Sequence, residues 1–373
     1  MSTQTEFLYL SEPDMIKAGV LDAAWCVDVC ESVFKLLAEG DYLMGGSNHN
    51  NHGMVISFPE KSKFPNMPVA GPDRRFGTMP GYLGGKYDVC GNKWYGSNHT
   101  NISKGLPRSV LTLMLNDKDT GEPLSLMSAN LLSAARTGAV PGVAARHLAC
   151  KNAEVISVIG CGPINKAAFT AIMTQMTDIK KVVCFDLFLA KANEFAKWAS
   201  HEYGIEGVGV DSAEKGFTGA DIITVAASRL KPLRFKDSWI KKGAAILVSG
   251  PVNTDESFWL DSTIVYDHTP LHEAYVEDAI ASGDKEKYYS SVIGGPLYSL
   301  IDEGKLPQLK DSTGLGDAIL GNNCGRVHDD ERIIFIACGM SVFDIGWGHA
   351  MYESAIKKQL GQKLRLWDEP YQK

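Results

Sequence analysis

The sequence predicts an α/β fold, and two observations carry that prediction. Between residues 154 and 268, short apolar runs alternate with stretches whose apolar residues recur at helical spacing. Such alternation is typical of a parallel sheet with helices on both faces. The first of these runs, "EVISVIG", ends in a glycine-rich turn that leads directly into a helical stretch, which is how such folds commonly begin.

The chain before this region mixes helix and strand signals. Two helices are predicted first, "LSEPDMIKAG" and "AAWCVDVCESVFKLLAEGDY", and the second stops at Gly40. Residues 41–75 are rich in Asn, Gly, Pro and His and predict a long loop. An Ala-rich helix over 129–150 is expected to be interrupted near Pro141. The strand predictions between the loop and this helix are "DVCGNKWYG", "SVLTLMLND" and "LSLMSAN".

Predicted strands and helices alternate from residue 154 to residue 268. The predicted strands are "EVISVIG", "KKVVCFD", "EGVGV", "ADIITVAA", "AAILVSG" and "STIVYDH", with helices notably over 163–176 and 189–203. Residues 270–330 are helical and turn-rich. The tail supplies one more apolar strand, "RIIFIACG", and a helix, "SVFDIGWGHAMYESAIKKQLGQ".

Composition narrows the class of protein. The 373 residues are enough for two domains, and 45% apolar with 22% charged residues is ordinary for a soluble globular protein. A formal net charge of −7 argues against a surface that wraps nucleic acid. No apolar run reaches the roughly 18 residues of a membrane span, and the first residues do not resemble a signal peptide. The eight cysteines include no C-x-x-C pair, so we expect free thiols in a reducing cytoplasm and no metal site.

The glycine-rich turn predicts a dinucleotide site. Gly160 and Gly162 follow a strand and precede a helix, and Asp186 ends the next strand about 20 residues after Asn165, which stands in place of the third glycine of G-x-G-x-x-G. The alternative is an α/β domain without a nucleotide. Asp186 would repel a 2′-phosphate, which favours NAD over NADP, although Lys191 lies nearby. The predicted cofactor-binding residues are Gly160, Gly162, Pro163, Ile164, Asp186, Thr137, Arg136 and Ser249.

Four ordered stretches resemble the ornithine cyclodeaminase/μ-crystallin family. They are "RRFGTMPGYLGG", "GNKWYGSN", "SAARTGAVPGVAARHLA" and "GRVHDDERIIFIACGMSVFDI". Within that family, the stretches "NKWYGSN", "LMLNDKDTGEPLSLM" and "VIGCG" are most similar to the branch that oxidatively cleaves N-(2-amino-2-carboxyethyl)-glutamate with NAD to make 2,3-diaminopropionate. The resemblance implies a Rossmann NAD-binding domain at 146–325. It also implies a substrate and dimerisation domain built from both ends of the chain, 1–145 with 326–373, and a homodimer.

The resemblance also implies site residues. Arg75 corresponds to a substrate-carboxylate arginine, Lys93 to the substrate-site lysine, and Arg136 with Thr137 to the Arg-Thr pair before the dinucleotide fold. A guanidinium binds both oxygens of a carboxylate, and a desolvated lysine can act as an acid or base or can hold a carboxylate. For Arg136 the pyrophosphate and the substrate carboxylate both remain possible partners, and for Thr137 a phosphate. The predicted catalytic residues are therefore Lys93, Arg75 and Arg136.

Three further polar residues carry weaker signals. Arg108 begins a strand and is expected to face the same pocket as Lys93. Asp344 lies near the start of the last helix, where capping the helix is the simpler interpretation and a place in the active site the alternative. His99 lies in a polar loop near Lys93 and is more often solvated than catalytic in such a place.

One segment departs from the family pattern. Ornithine cyclodeaminases carry a catalytic Asp after the fifth strand of the dinucleotide fold, where this sequence reads "LVSGPVNTDESF" with Pro251 at that position. Asp255, four residues on, would have to reach inward through a different loop. The departure counts against ornithine cyclisation and leaves amine–imine redox chemistry unaffected.

These observations predict an enzyme, a cytoplasmic NAD-dependent oxidoreductase. It would act on the C–N bond of an amino acid or an opine-like secondary amine. The alternatives are an ornithine cyclodeaminase that converts L-ornithine to L-proline and ammonia, a cyclic ketimine reductase, and a non-catalytic μ-crystallin-like protein that binds NAD(P)H or another ligand. The expected partners are an amino-acid-like small molecule and a second copy of the chain, with no nucleic acid and no membrane.

Overall fold

The computed structural model describes residues 3–227, 232–322 and 325–372. Its helices and strands follow one another in this order: β1 (Thr5–Leu10), α1 (Glu12–Ala18), α2 (Ala23–Glu39), β2 (Tyr42–Met44), β3 (Met54–Ser57), β4 (Arg75–Leu83), β5 (Val89–Ser97), β6 (Ser109–Asn116), β7 (Pro123–Ser128), α3 (Asn130–Leu148), β8 (Val155–Ile159), α4 (Pro163–Met173), β9 (Lys181–Phe185), α5 (Leu189–Tyr203), β10 (Glu206–Val210), α6 (Ala213–Phe217), β11 (Ile222–Val225), β12 (Leu233–Arg234), β13 (Ala245–Val248), β14 (Val252–Asn253), α7 (Glu256–Leu260), β15 (Thr263–Tyr266), α8 (Thr269–Ala281), α9 (Lys285–Tyr289), α10 (Gly295–Asp302), β16 (Thr313–Gly314), α11 (Leu315–Leu320), β17 (Ile333–Ile336), α12 (Ser341–Lys357) and β18 (Gln362–Trp367).

The chain forms two compact units. Unit 1 comprises Met1–Asp22, Gly40–Arg136 and Met340–Lys373, and unit 2 comprises Ala23–Glu39 and Thr137–Gly339. This division does not fall at the predicted boundaries, 145/146 and 325/326. Helix α2 groups with unit 2 because it packs against α4 and α11. Strand β17 also lies in unit 2, whereas the sequence interpretation placed it with the tail.

Unit 1 is built on one sheet with the strand order β18-β1-β7-β6-β5-β4-β2, and β3 pairs with β4. The three strands predicted between residues 88 and 130 are confirmed as β5, β6 and β7. Helix α12 packs on one face of this sheet, over β4, β5 and β6. The approach is so close that a Cβ at Gly91 would lie 2.9 Å from Ile345 Cγ1, which only glycine avoids.

The prediction of a long loop over 41–75 is wrong in part, because β2 and β3 lie within it. All four residues of β3 are exposed, and the strand pairs only with β4. A short edge strand of this kind buries neither face, so it carries no alternation of apolar and polar residues for sequence analysis to detect. Strand β18 was not predicted either; it is largely exposed and pairs with β1.

Unit 2 is built on a parallel sheet with the strand order β10-β9-β8-β11-β13-β17-β15-β16. Every one of these pairings is parallel, which confirms the expectation from the alternating pattern. The central strands β11, β13 and β17 are buried along their whole length. This explains why they read as continuous apolar runs.

Helix α3 is continuous from Asn130 to Leu148, so the expected interruption at Pro141 is wrong. A proline inside a helix removes one backbone hydrogen bond, but here the helical backbone continues through it. Residues 138–145 are all buried. No helix within the described ranges is long and apolar enough to cross a membrane.

Candidate active site

The turn after β8 has the backbone geometry that a pyrophosphate site needs. Gly160 has φ 90°, in the left-handed region, and a Cβ there would lie 3.0 Å from the carbonyl oxygen of Ala226. Gly162 is the N-cap of α4 and has open space around it, with nothing within 4 Å of a Cβ. Pro163 and Ile164 form the first turn of α4. The free N–H groups of a helix N-terminus in such a turn bind phosphate.

Asn165 explains how the turn forms without its third glycine. Its side chain is fully buried, and Nδ2 donates to the carbonyl oxygens of Ile159 and Gly160, each at 2.8 Å. Its Oδ1 accepts a hydrogen bond of 2.8 Å from Thr224 Oγ1 on β11. The amide therefore ties the end of β8, the turn and β11 together. In other dinucleotide folds the third glycine lets the helix and the strand pack closely. Here the hydrogen bonds of Asn165 hold these elements together instead.

Asp186 lies directly after β9, where the ribose-binding acid of a dinucleotide fold is expected. Its Oδ2 accepts a 2.9 Å hydrogen bond from the backbone N–H of Cys161, and its Oδ1 a 3.1 Å bond from that of Phe188. The carboxylate is thus fixed beside the glycine turn. Leu187 and Phe188, which follow it, are exposed.

Two more predicted cofactor residues lie at element ends or within helices of unit 2. Ser249 follows β13, at the carboxyl end of the parallel strands, and its buried Oγ has no hydrogen-bond partner among the described residues. An orphaned hydroxyl there fits a ligand at this edge of the sheet. Thr137 is half-buried in α3, directly after Arg136.

Unit 1 contains a buried cluster of three charges. Lys93 on β5, Arg136 on α3 and Asp344 on α12 have side chains only 4%, 6% and 0% exposed. Lys93 Nζ lies 2.8 Å and Arg136 Nη2 2.9 Å from the same oxygen, Asp344 Oδ2. The other oxygen, Oδ1, has no hydrogen-bond partner among the described residues and can accept a further one. Asp344 thus joins two of the predicted catalytic residues, Lys93 and Arg136.

The electrostatics of this cluster suit proton transfer. Burial and the positive charge of Arg136 lower the pKa of Lys93, Asp344 opposes both, and the resulting pKa is about 8. Burial alone would raise the pKa of Asp344, but Arg136 and Lys93 outweigh it and hold the pKa below its ordinary value. Asp344 is therefore ionised, and Lys93 can change its protonation state near neutral pH.

The interpretation of Asp344 as a helix cap is wrong. The N-cap of α12 is Met340, and Asp344 turns instead to β5 and α3, 251 residues from Lys93 along the chain. An Asp in the first turn of a helix is locally favourable with or without long-range partners. Its position in the sequence therefore carries no signal of the buried ion pairs.

Arg75 and Arg108 lie apart from this cluster. Both contact Asp73, Arg75 through Nη1 and Arg108 through Nε at 3.2 Å, and the two arginine side chains are 40% and 47% exposed. The expectation that Arg108 faces the same pocket as Lys93 stays a prediction, and the contact that the structure gives Arg108 is with Asp73. His99 begins an exposed 3-10 turn and belongs to neither group.

The loop after β13 supplies no replacement for the family's catalytic Asp. Pro251 lies between β13 and β14. Asp255 is the N-cap residue of α7, and its half-exposed carboxylate lies 3.1 Å from Arg234 Nη2. Asp255 is thus engaged in an ion pair at the surface of unit 2.

Sequence reasoning missed a second buried polar network, in unit 2. Asp267, directly after β15, lies 2.8 Å from His272 Nε2, and His272 Nδ1 lies 2.6 Å from Tyr298 Oη. The other carboxylate oxygen accepts a 2.7 Å hydrogen bond from the backbone N–H of Cys338, after β17. The network joins the ends of two neighbouring strands. Its residues fall in "YDHTPLHEAY" and in a later helix, with no spacing that distinguishes them from ordinary helix positions.

Comparisons with known proteins agree with this architecture. The N-((2S)-2-amino-2-carboxyethyl)-L-glutamate dehydrogenase of Staphylococcus aureus is 26% identical over 364 residues, which cover 97% of this chain and 99% of that protein. The alanine dehydrogenase of Archaeoglobus fulgidus is 30% identical over 78% of this chain and 83% of its own length. A solved structure of an archaeal alanine dehydrogenase dimer with bound NAD has a TM-score of 0.77 at 25% identity, covering 97% of this chain and 100% of that one.

The fold and the two sites define an α/β protein with a Rossmann-type unit and a second unit that carries a buried acid–base cluster. The sequence pattern of the ornithine cyclodeaminase/mu-crystallin family matches residues 20–359. The chain belongs to that family. The resemblance drawn from the four sequence stretches and the predicted fold class are both confirmed.

The position of Asp186 predicts a change in cofactor preference. In Asp186→Asn the amide oxygen can still accept a backbone hydrogen bond, but the charge that repels a 2′-phosphate is lost. We expect the ratio of the dissociation constants for NADPH and NADH to fall at least about tenfold. Fluorescence titration with each nucleotide measures it. The exposed Asp178→Asn serves as the charge-matched control, and an unchanged ratio in Asp186→Asn would count against this site.

Proposed function

We propose that this chain is an NAD-dependent oxidoreductase acting on the C–N bond of an amino acid or an opine-like secondary amine. One observation carries the proposal: the buried carboxylate of Asp344 binds both Lys93, whose pKa is lowered to about 8, and Arg136. Interconversion of an amine and an imine moves one proton and one hydride. The chain must therefore supply a proton-transfer group, and Lys93 is that group.

The three residues have separate roles. Neutral Lys93 accepts at Nζ the proton that the substrate nitrogen loses when C–N becomes C=N, and protonated Lys93 returns it in the reverse direction. Arg136 binds the substrate carboxylate as well as Asp344, since a guanidinium has five N–H donors. Asp344 holds both cations in place and keeps one buried positive charge compensated. Two cations on one carboxylate leave the cluster with a net charge of about +1 when Lys93 is protonated, which attracts an anionic substrate.

We propose NAD as the cofactor, held by unit 2, with the substrate held by unit 1. When bound, NAD accepts or supplies the hydride. The turn at Gly160 and Gly162, with Pro163 and Ile164, would bind the pyrophosphate, and Asp186 the ribose hydroxyls. The open space over Gly162 and the orphaned hydroxyl of Ser249 support this assignment. Thr137 is a further proposed phosphate donor.

We propose a homodimer and a cytoplasmic location as well. The outer face of the unit 1 sheet exposes Phe76 and Trp94, whose rings stack at 5.9 Å, beside a cavity of about 420 Å³. A contiguous exposed apolar surface of this kind is typical of a protein contact. The archaeal alanine dehydrogenase named above is a dimer. The cysteines that the structure describes are free thiols, which suits a reducing compartment.

A substrate comparison tests the reaction class. The protein is incubated with NAD and either N-((2S)-2-amino-2-carboxyethyl)-L-glutamate or L-ornithine, and NADH and ammonia are followed together. We expect NADH from the secondary amine and no ammonia from ornithine, because Pro251 stands at the family's Asp position. Ammonia released from ornithine without net NADH would instead identify a cyclodeaminase.

Replacement of Lys93 tests the proton-transfer group. Lys93→Met keeps the length of the side chain and leaves Asp344 paired with Arg136. We expect kcat to fall by about 10²–10⁴, the usual contribution of a general acid or base, with NADH binding unchanged. The exposed Lys86→Met is the matched control. Turnover of Lys93→Met close to that of the control would remove Lys93 from the mechanism.

The pH dependence tests the environment of Lys93. In the oxidative direction Lys93 must be neutral, so kcat/KM should rise with pH through about 8. Arg136 lowers the pKa of Lys93, so Arg136→Gln should move this rise to higher pH. The exposed Arg365→Gln, in the same unit, should leave it in place. A rise that stays at the same pH in Arg136→Gln would show that another group titrates.

A further inference from the structure

Two free thiols meet at the glycine turn of unit 2, residues 160–162. Cys161 is the middle residue of the turn, and Cys184 lies on β9, two residues before Asp186. The Cys184 thiol is hydrogen-bonded to that of Cys161. Cys161 Sγ also lies 3.7 Å from the carbonyl oxygen of Phe185, the residue that follows Cys184. The two side chains are therefore in direct contact, although helix α4 separates them along the chain.

The strand register explains why the Cys184 side chain meets the turn. Cys184 is paired with Gly209 on β10, and a Cβ at Gly209 would overlap Asn193 Oδ1 on α5. Residues paired across neighbouring strands share a face of the sheet, so Cys184 faces the side that α5 covers. Helix α4 lies on that side too, because the rings of Phe169 on α4 and Phe195 on α5 are 5.7 Å apart. The turn that leads into α4 thus passes over the Cys184 thiol.

The two thiols differ in their access to solvent. Cys184 is 0% exposed, whereas Cys161 is only half-buried. The space over Gly162, the next residue, is open, with no described atom within 4 Å of a Cβ. The hydrogen bond to Cys161 and burial raise the pKa of the Cys184 thiol, which disfavours its thiolate. A small oxidant from solution therefore reaches Cys161 first.

The backbone of Cys161 belongs to the turn that the cofactor is proposed to contact. Its N–H donates to Asp186 Oδ2 at 2.9 Å, and the N–H of Gly160 donates to the carbonyl oxygen of Phe185 at 2.8 Å. Two hydrogen-bonded sulfur atoms lie farther apart than two covalently bonded ones, so a bond between them draws Cys161 towards Cys184. Cys184 lies on a strand that is buried over four of its five residues, so the turn is the part that moves.

We propose that Cys161 and Cys184 form a modification site for hydroperoxides, and that the disulfide between them weakens dinucleotide binding. The Cys161 sulfur attacks one oxygen of the hydroperoxide, the O–O bond breaks, and the other oxygen takes the thiol proton and leaves as water when the oxidant is hydrogen peroxide. The Cys184 sulfur then attacks the sulfenic acid of Cys161. The S–S bond forms, the S–O bond breaks, and a second water leaves with the Cys184 proton.

Electrons balance in this sequence, because the two thiols lose two electrons and the hydroperoxide gains them. A reducing compartment is compatible with it, since disulfides of cytosolic proteins are commonly transient and redox-sensing. The modification site stands on the contact between the two thiols. Its effect on the dinucleotide rests on the proposed function, in which residues 160–162 bind the pyrophosphate.

Peptide mapping tests the modification site. The full-length protein is treated with hydrogen peroxide, its remaining thiols are alkylated, and it is digested with trypsin. We expect peptides 152–166 and 182–191 to be linked, and dithiothreitol to separate them. Cys150→Ser is the matched control, because Cys150 is a half-buried thiol of the same unit that contacts the carbonyl oxygens of Gly243 and Asp329. The link should form in this variant as in the unaltered protein.

Two results of the mapping would overturn the site. One is Cys161 oxidised to the sulfinic acid without a linked peptide, and the other is both thiols unmodified at a peroxide concentration that oxidises Cys150. Cys184→Ala tests which thiol reacts first, because it leaves the sulfenic acid of Cys161 without a second thiol to attack it. Dimedone, which traps sulfenic acids, should then label Cys161. Absence of that label would overturn Cys161 as the first thiol to react.

Fluorescence titration with NADH, before and after peroxide, tests the effect on binding. We expect the dissociation constant of the unaltered protein to rise about tenfold or more, as for the loss of one or two hydrogen bonds to the pyrophosphate, and dithiothreitol to restore it. In Cys161→Ser, peroxide should leave the dissociation constant unchanged. A linked pair of peptides with an unchanged dissociation constant would overturn the effect on binding. Failure of the reduced protein to bind NADH would overturn the proposed function, while the linked peptides would still establish the modification site.

Discussion

The buried carboxylate of Asp344 is the constraint on which the rest of the site depends. Ionised side chains removed from water are strongly unfavourable when they are unpaired, and here one oxygen of Asp344 pairs with both cations. Removing one partner of a buried pair typically costs about 3–5 kcal/mol, because a charge is left without compensation. β5, α3 and α12, which carry these residues, therefore meet at one point in unit 1. The proposed acid–base chemistry and the pairing of these buried charges depend on the same atom, Asp344 Oδ2.

The same arrangement sets the pKa of Lys93 by opposing effects. Burial and Arg136 both favour the neutral amine, while Asp344 favours the ammonium. Without Asp344 the pKa of Lys93 would be lower, and without Arg136 it would be higher. Near pH 8 both forms are populated, which a group that gives and takes one proton in each turnover requires.

Sequence reasoning found the features that depend on local pattern. The parallel strands of unit 2 are apolar along their length, and Gly160, Gly162 and Asp186 follow one another at the spacing of a dinucleotide fold. It did not find those that depend on distant partners. From the sequence alone Asp344 is interpreted as a helix cap, because its partner Lys93 lies 251 residues away along the chain. The sequence predicts that Arg75 binds the substrate carboxylate, but it does not reveal that Arg75 shares a face of the sheet with Lys93 and pairs with Asp73.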